Sequence, residues 1–329
     1  MRAVICRGWG GPETLEIDDL PIPGTAPGQV VIDVHAAGVN FADILMVAGQ
    51  YQEKPPLPFV PGLEVAGTVR AIGPGVKRLT PRQRVMAVLD HGGFAEHALA
   101  RESDVFPIPD EMDFSVAAGF PIAYGTAYGA LRWRADMRPG ELLLVTGAAG
   151  GVGLSAVEVG KALGAVVIAG ASGVDKLALA AARGADHVID YRVEDFRKSL
   201  KEMAQRLGKS GIDVAFDPVG GDTFDALFRA LAWGGRVVVI GFAGGRVQQI
   251  PANLLLVKNA SALGFWWGSY RRQAPEMLPP AFAELIGWWS QGLLKPHVSH
   301  RLPLSEAAQA LKTLKERRAT GKVVLTLKE

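Results

Sequence analysis

The residues from Glu141 to Gly164, ELLLVTGAAGGVGLSAVEVGKALG, leave this chain little choice of local fold. Leu142, Leu143, Leu144 and Val145 form a continuous apolar run, the pattern of a strand covered on both faces in a parallel sheet. Gly147, Gly150, Gly151 and Gly153 come next, and their missing side chains permit a tight turn and let a diphosphate approach the backbone amides. Val152, Ala156, Val159 and Leu163 then recur at helical spacing, which sets one apolar face against the sheet. Gly164 ends that helix.

A glycine-rich turn on its own can serve only to close a strand onto a helix. The segments beyond Gly164 give this turn its context. Strand and helix patterns alternate: Ala165 to Ala169, then Asp175 to Arg183 closed by Gly184, then His187 to Tyr191. Asp213 to Phe216, a helix from Gly221 to Leu231, Arg236 to Ile240 and Ser261 to Phe265 complete the series. Alternation of this kind, with right-handed crossovers, predicts an α/β fold: a doubly wound, six-stranded parallel sheet that binds a dinucleotide at its switch point.

A chain of 329 residues exceeds one ordinary core, so two domains are expected. The 35 basic and 33 acidic side chains nearly cancel, and no basic stripe interleaved with aromatics occurs, so no nucleic-acid partner is implied. The single cysteine, Cys6, excludes an internal disulfide framework and a cysteine-rich zinc lobe; in an apparent first strand it reads as a buried, inert thiol. The opening MRAVICRGWGGPETLEI reads as strand, turn and strand, too short in its apolar core for a signal peptide. With no apolar run of membrane-spanning length, a cytoplasmic address without membrane partners is expected.

Before the glycine turn the texture differs. Short alternating strands such as Gln29 to Ala36 and Leu63 to Ile72, separated by proline and glycine, predict a mainly antiparallel β domain. The proline-rich segment from Lys54 to Pro61 predicts an extended loop. Near Asp113 the pattern turns helical, and Pro121 marks a break and the passage into the dinucleotide domain. Beyond Gly264 come the aromatic Phe265, Trp266 and Trp267, a helix through Pro280 to Gln291, a last helix from Ser305, and the apolar ending GKVVLTL. The expected organisation is 1–121 and 265–329 as two parts of one discontinuous domain, with 122–264 between them.

Several motifs, in order and across nearly the whole chain, resemble the zinc-independent quinone oxidoreductases, the zeta-crystallin-like group of the medium-chain dehydrogenase/reductase superfamily. They are AGVNFAD (Ala37 to Asp43), PGLEVAGTV (Pro61 to Val69), GGFAEH (Gly92 to His97), VTGAAGGVG (Val145 to Gly153) and PANLLLVKNASALG, with the ending GKVVL. The resemblance implies a GroES-like catalytic domain built from both chain ends, a central Rossmann domain, NADPH as cofactor and a homodimer. It assigns Gly150, Gly151, Val152 and Gly153 to the cofactor turn, and Ser172, Lys176 and Tyr191 to a 2′-phosphate pocket. Thr126, Gly241 and Phe242 fall to the nicotinamide side, Asn259 to the loop beyond, and Lys322 to a late cofactor contact.

The residues themselves speak to the cofactor. Binders of the unphosphorylated dinucleotide usually carry an acid about 20 positions after the glycines, on the ribose 2′-hydroxyl. Ala165 to Val174 contains none; a hydroxyl from Ser172 and an ammonium from Lys176 suit a 2′-phosphate that a carboxylate would repel. The alternative is that Ser172 caps a helix and Lys176 is merely solvated. Zinc-dependent relatives place a cysteine in the loop matching Val39 to Asp43 and a histidine before the next glutamate. Here the loop reads VNFAD and Leu63 precedes Glu64, too few ligands for a catalytic zinc, and His297 and His300 lack companions.

For the reacting site the polar candidates are Asn40, Asp43 and Tyr51. An amide or phenol can donate to an acceptor oxygen that gains charge, whereas a carboxylate only accepts, which leaves Asp43 to position the loop. Asn40 and Asp43 serve equally as local backbone caps. Many relatives carry a tyrosine and an arginine where this chain has Leu45 and Val47, which predicts a more apolar pocket. Trp266, Trp267 and Tyr270 either line it or belong to a core, and Asp217 reads as a strand-end turn residue or a site residue. The expectation is an enzyme, an NADPH-dependent, metal-free reductase of quinone-like acceptors. An enoyl- or acryloyl-CoA or alkenal reductase on the same scaffold is the nearest rival, and a non-catalytic NADPH-binding or structural protein the third.

Overall fold

The structure, a computed structural model, describes residues 1–327. In chain order, β1 (Arg2–Cys6), β2 (Leu15–Asp19) and β3 (Gln29–Val39) lead into α1 (Phe41–Val47). Then come β4 (Glu64–Ile72), β5 (Arg84–Val88), β6 (His97–Arg101), β7 (Val105–Pro107), α2 (Phe114–Ala118) and α3 (Pro121–Tyr128). The alternating middle runs β8 (Leu142–Val145), α4 (Gly151–Ala162), β9 (Val166–Ala171), α5 (Val174–Ala182), β10 (His187–Asp190) and α6 (Phe196–Arg206). It continues with β11 (Ile212–Asp217), α7 (Gly221–Ala230), β12 (Leu231–Val239), α8 (Ala252–Lys258) and β13 (Ser261–Gly264). Helices α9 (Trp267–Gln273) and α10 (Leu278–Ser290) precede β14 (Val298–Pro303), α11 (Ala307–Lys315) and β15 (Lys322–Thr326).

The chain divides into two compact units, Met1–Ile122 with Pro296–Glu329, and Ala123–Lys295. The first is built on a seven-stranded sheet in which β3 pairs antiparallel with β15, β4 and β6. The apolar alternation of β3 and β4 packs Val30, Ile32, Val34, Val65 and Val69 into one core together with Leu311, Val323 and Leu325 from the chain's end. Both chain ends are thus needed to complete this unit. The predicted helix break at proline is present: α2 stops at Ala118 and α3 starts on Pro121.

The second unit is the doubly wound sheet read from the sequence. Its six parallel strands lie in the order β10-β9-β8-β11-β12-β13, with the switch between β8 and β11. Leu142, Leu143, Leu144 and Val145 are wholly buried, as a strand covered on both faces requires. This unit reaches Lys295 rather than the expected Gly264. Phe265 and Trp267 of its aromatic segment are core: Trp267 and Phe282 are buried with ring centroids 6.1 Å apart, and Tyr128 meets Trp288 at 5.8 Å. The buried Glu158 of α4 fastens the end of the unit, accepting from Tyr124 Oη at 2.7 Å and from the Lys295 backbone N–H at 2.9 Å. Polar and aromatic contacts between α3, α4 and α10 are invisible to a reading of local periodicity.

The glycine turn packs as tightly as its sequence implied. Gly147 has φ +58°, and a Cβ at Gly153 would lie 2.2 Å from the Gly147 carbonyl oxygen, a backbone atom that cannot swing away. Gly153→Ala should therefore cost at the upper end of about 1–3 kcal/mol, the range for overpacking a close-packed site. Urea unfolding of the variant checks this, and a midpoint equal to that of the parent would refute the close approach.

Candidate functional site

Within the first unit, the end of β3 delivers its chemistry to one buried cluster. Asn40 directly follows β3 and caps α1 in extended conformation, and its backbone N–H donates to Asp43 Oδ2 at 2.8 Å. Its side chain faces other partners: Nδ2 donates to Glu64 Oε1 at 2.9 Å, and Oδ1 accepts from Lys322 Nζ at 2.7 Å. Lys322 also donates to Glu64 Oε1 at 2.7 Å and to the Val39 carbonyl at 3.1 Å. The second oxygen of Glu64 accepts from the Ile122 N–H at 2.9 Å. Glu64 and Asp43 are fully buried, and Asn40 and Lys322 nearly so.

This cluster brings together three residues singled out from the sequence, Asn40, Asp43 and Lys322, around one that was not. Glu64 drew notice only for lacking a histidine before it, yet it holds both Asn40 and Lys322. The three hydrogens of the Lys322 ammonium meet three acceptors, so its donor capacity is spent inside the protein. One of the two Asn40 amide hydrogens is committed to Glu64, which leaves the other. Burial pushes the Asp43 carboxyl up to about 7, against the lowering effect of the Asn40 N–H and the Lys322 charge.

Tyr51 comes just after the helix, its N–H donating to the Leu45 carbonyl at 3.1 Å, and packs against the cluster of Cys6, Met46, Val47, Phe59 and Leu63. Val47, where relatives carry arginine, is a core residue of that cluster rather than a pocket residue, while Leu45 is half-buried. Cys6 is buried and its thiol is pushed up by burial, in keeping with an inert role.

In the second unit the glycine turn joins β8 to α4, whose first residue is Gly151. Leu154 is the first amide of the helix to bond inward, to Gly150 O at 2.8 Å, so Gly151, Val152 and Gly153 contribute the outward-facing first turn. Thr146 Oγ1 donates to Asp217 Oδ1 at 2.5 Å, and Asp217 in turn accepts from the Val219 and Gly220 N–H groups at 3.1 Å. Asp217, fully buried, is therefore a turn residue that ties the end of β11 to the glycine turn. The next loop is strapped on by Ala243 N to Pro218 O and Gly244 N to Val219 O, which sets Gly241 and Phe242 beside it. Phe242 is 42% exposed, and Thr126, on α3, is buried.

At the far end of β9, Ser172 and Gly173 form the turn into α5. Gly173, with φ +94°, is the cap residue, so capping does not account for Ser172. Lys176 lies in the first turn of α5, and Tyr191 comes after β10, its ring against Phe196 and its N–H on the Ala171 carbonyl. The Gly173 N–H donates to Asp190 Oδ2 at 3.1 Å. An acid does therefore approach this turn, from β10 instead of β9, and Arg192 pairs with it. Neither residue stands out in the sequence. Trp267 is core; Trp266 is 37% exposed, and Tyr270 packs on Trp133 and Phe265.

Among the described residues no group of three or more His, Cys, Asp or Glu side chains is placed to hold a metal ion, and no helix is long and apolar enough to cross a membrane.

The two units define a medium-chain dehydrogenase/reductase. Residues 26–110 match the alcohol dehydrogenase GroES-like domain, and residues 183–325 match the zinc-binding dehydrogenase model. Among curated proteins the chain is 40% identical over 329 residues to mouse (Mus musculus) quinone oxidoreductase-like protein 2, covering 99% of this chain and 92% of that protein. It is 33% identical to human (Homo sapiens) quinone oxidoreductase, covering 99% of this chain and 98% of that one. Among solved structures it resembles Escherichia coli quinone oxidoreductase complexed with NADPH, with a TM-score of 0.91, 30% identity, and 99% and 100% of the two chains covered. The chain belongs to the zinc-independent quinone oxidoreductase family of that superfamily, and it is an oxidoreductase of that type.

Asp43 yields a pH prediction. Its folded-state carboxyl titrates near 7, above its ordinary value, so the folded state holds a proton that the unfolded chain has already released. The stability it contributes is full in acid and is lost as the pH rises from about 4 through about 7, with a slope approaching 1.4 kcal/mol per pH unit. Asp43→Asn removes that dependence, so the variant should gain on the parent across this window in urea unfolding. Parallel pH profiles for the two proteins would sink the assignment.

Proposed function

We propose that this oxidoreductase uses NADPH to reduce quinone-like acceptors without a metal. The observation that carries the cofactor is the turn after β9, which offers Ser172 and Lys176, with Tyr191 beside it, and has no acid of its own. The cradle fits a dinucleotide: Gly153 leaves no room for a side chain against Gly147, and the first turn of α4 presents its amides to a diphosphate. Gly150, Gly151, Val152 and Gly153 would hold the diphosphate, and Ser172, Lys176 and Tyr191 the 2′-phosphate. Thr126, Gly241 and Phe242 would lie along the nicotinamide. Lys322, the late contact that the resemblance implies, has its three donors taken and its charge paired with Glu64, so its share would be to hold Asn40 and Glu64 in place.

When bound, the nicotinamide supplies the hydride. The protein's share is to orient and to stabilise charge. The remaining Asn40 amide hydrogen donates to the acceptor oxygen as charge develops there, with Glu64 and Lys322 fixing the amide plane. Tyr51 offers a hydroxyl to the same acceptor, and Asp43 sets the start of α1 and hence the position of Asn40. The half-buried Leu45 keeps the neighbourhood apolar, which favours a flat hydrophobic quinone and also admits an activated alkene.

Steady-state oxidation of NADPH should proceed with quinones, more slowly with enals and enoyl thioesters, and poorly when NADH replaces NADPH. Asn40→Ala should lower kcat on the order of 10²-fold, the usual effect of losing one donor to a developing oxyanion. Preference for enoyl thioesters would move the chain to the alkene reductases. Tight NADPH binding with no turnover of any acceptor would leave a binding protein.

The proposed assembly is a homodimer in the cytoplasm. Strand β13, with the uncharged sequence Ser261–Ala262–Leu263–Gly264, is the edge of the second sheet and among the described residues pairs only with β12. The preceding α8 buries none of its residues and leaves Leu256 80% and Val257 70% exposed, apolar area that a second copy would cover. Light scattering should give twice the chain mass, and Leu256→Glu with Ala262→Lys should halve it. A monomeric parent would refute the arrangement.

A further inference from the structure

Arg192 is marked neither by the sequence pattern nor by the resemblance, yet several bonds hold it at the turn after β9. Asp190 ends β10 in register with Ala171, the last residue of β9, which brings its carboxylate to the Ser172–Gly173 turn. One oxygen accepts from Gly173 N–H at 3.1 Å. The other accepts from the Arg192 backbone N–H at 2.9 Å. The Arg192 guanidinium closes on both oxygens through Nε at 3.0 and 3.2 Å and through Nη2 at 2.6 Å. Its Nη2 lies over Gly173, 3.5 Å from where a Cβ would stand. These bonds use Nε and Nη2; Nη1 is not among the groups that grip Asp190, and the side chain is 62% exposed.

A carboxylate at the end of this sheet has a chemical consequence. Unpaired, it would repel a phosphomonoester on the neighbouring ribose and favour a free hydroxyl. The bidentate pairing cancels that charge, holds a planar cation in one orientation and leaves donors over for an oxyanion. Exposed ion pairs are in general worth little to stability, so this geometry has little to do for the fold.

Resting on the NADPH reading, we propose that Arg192, oriented by Asp190, is a recognition residue for the ligand's 2′-phosphate and a determinant of its selectivity over the unphosphorylated dinucleotide. Lys176 would contribute charge from the first turn of α5, and Arg192 a fork from the segment after β10.

Calorimetric titration with adenosine 2′,5′-bisphosphate and with AMP, which differ only in the 2′-phosphate, tests this without turnover. The parent should bind the 2′-phosphorylated nucleotide more tightly. Arg192→Gln should weaken that ligand by about tenfold or more, the size of one charge-assisted hydrogen bond. AMP affinity should stay within about twofold, which also shows that the site is formed. Arg192→Lys, which keeps the charge but not the fork, should fall between, and Asp190→Asn should lose part of the selectivity through the freed guanidinium. If the parent discriminates and Arg192→Gln discriminates equally well, Arg192 has no such role while the NADPH reading stands. If the parent binds the two nucleotides alike, the NADPH reading falls and this inference falls with it.

Discussion

The buried bonds of Lys322 hold the first unit together. The strand that begins at Lys322 pairs with β3, and its ammonium reaches Val39, Asn40 and Glu64, so the last strand of the chain supplies the cation for a carboxylate set by β4. A buried pair of this kind adds little over an apolar substitute, but removing one partner costs about 3–5 kcal/mol because the other charge is stranded. Glu64 would then face Asn40 and the Ile122 N–H alone. The unit cannot satisfy its own polar groups until its C-terminal segment has returned from the second unit. The same requirement makes its native contacts long-range in sequence, which is a cost in folding speed rather than in stability.

The second unit solves a different problem. A parallel sheet must bring a loop close to a large anion without a cation of its own in the loop, and it does so with backbone. Gly147 and Gly153 touch, Thr146 and Asp217 bind the glycine turn to the end of β11, and the loop after β12 is strapped to the loop after β11. Burial pushes the Asp217 carboxyl up, while Thr146 and the Gly220 and Val219 amides hold it down. The polar cost is met inside the turn network, leaving the first turn of α4 for a ligand.

The second unit is legible in the sequence because its information is local. Four apolar residues, glycines and a helical face occupy one short segment, and the strands after it recur at regular intervals. The first unit's site is half legible: Asn40, Asp43 and Lys322 stand out, but their common partner Glu64 lies 24 residues from Asn40 and 258 from Lys322. No periodicity connects such positions. Asp190 and Arg192 stay hidden for a related reason, since only strand register brings the end of β10 beside the turn after β9. The unit boundary at Lys295 depends on aromatic packing of Trp267 and Phe282 and on Glu158, all tertiary facts. Val47 shows the converse: the change from arginine is visible, but its place in the core is not.

The charge count of the first unit's cluster bears on the chemistry. Lys322 and Glu64 cancel, and near neutral pH the Asp43 carboxyl is poised between its neutral and ionised forms, so protonation leaves the buried cluster neutral while ionisation adds one negative charge. Reducing a carbonyl builds negative charge on an oxygen, and an uncompensated carboxylate nearby would oppose it. On the proposed reading, the desolvation that raises Asp43 removes that obstacle as the pH falls. The Asn40 amide is fixed in plane because its oxygen is held by Lys322 and one of its hydrogens by Glu64. A donor fixed in advance costs no reorganisation when charge develops beside it, and the role proposed for Asn40 would draw on that.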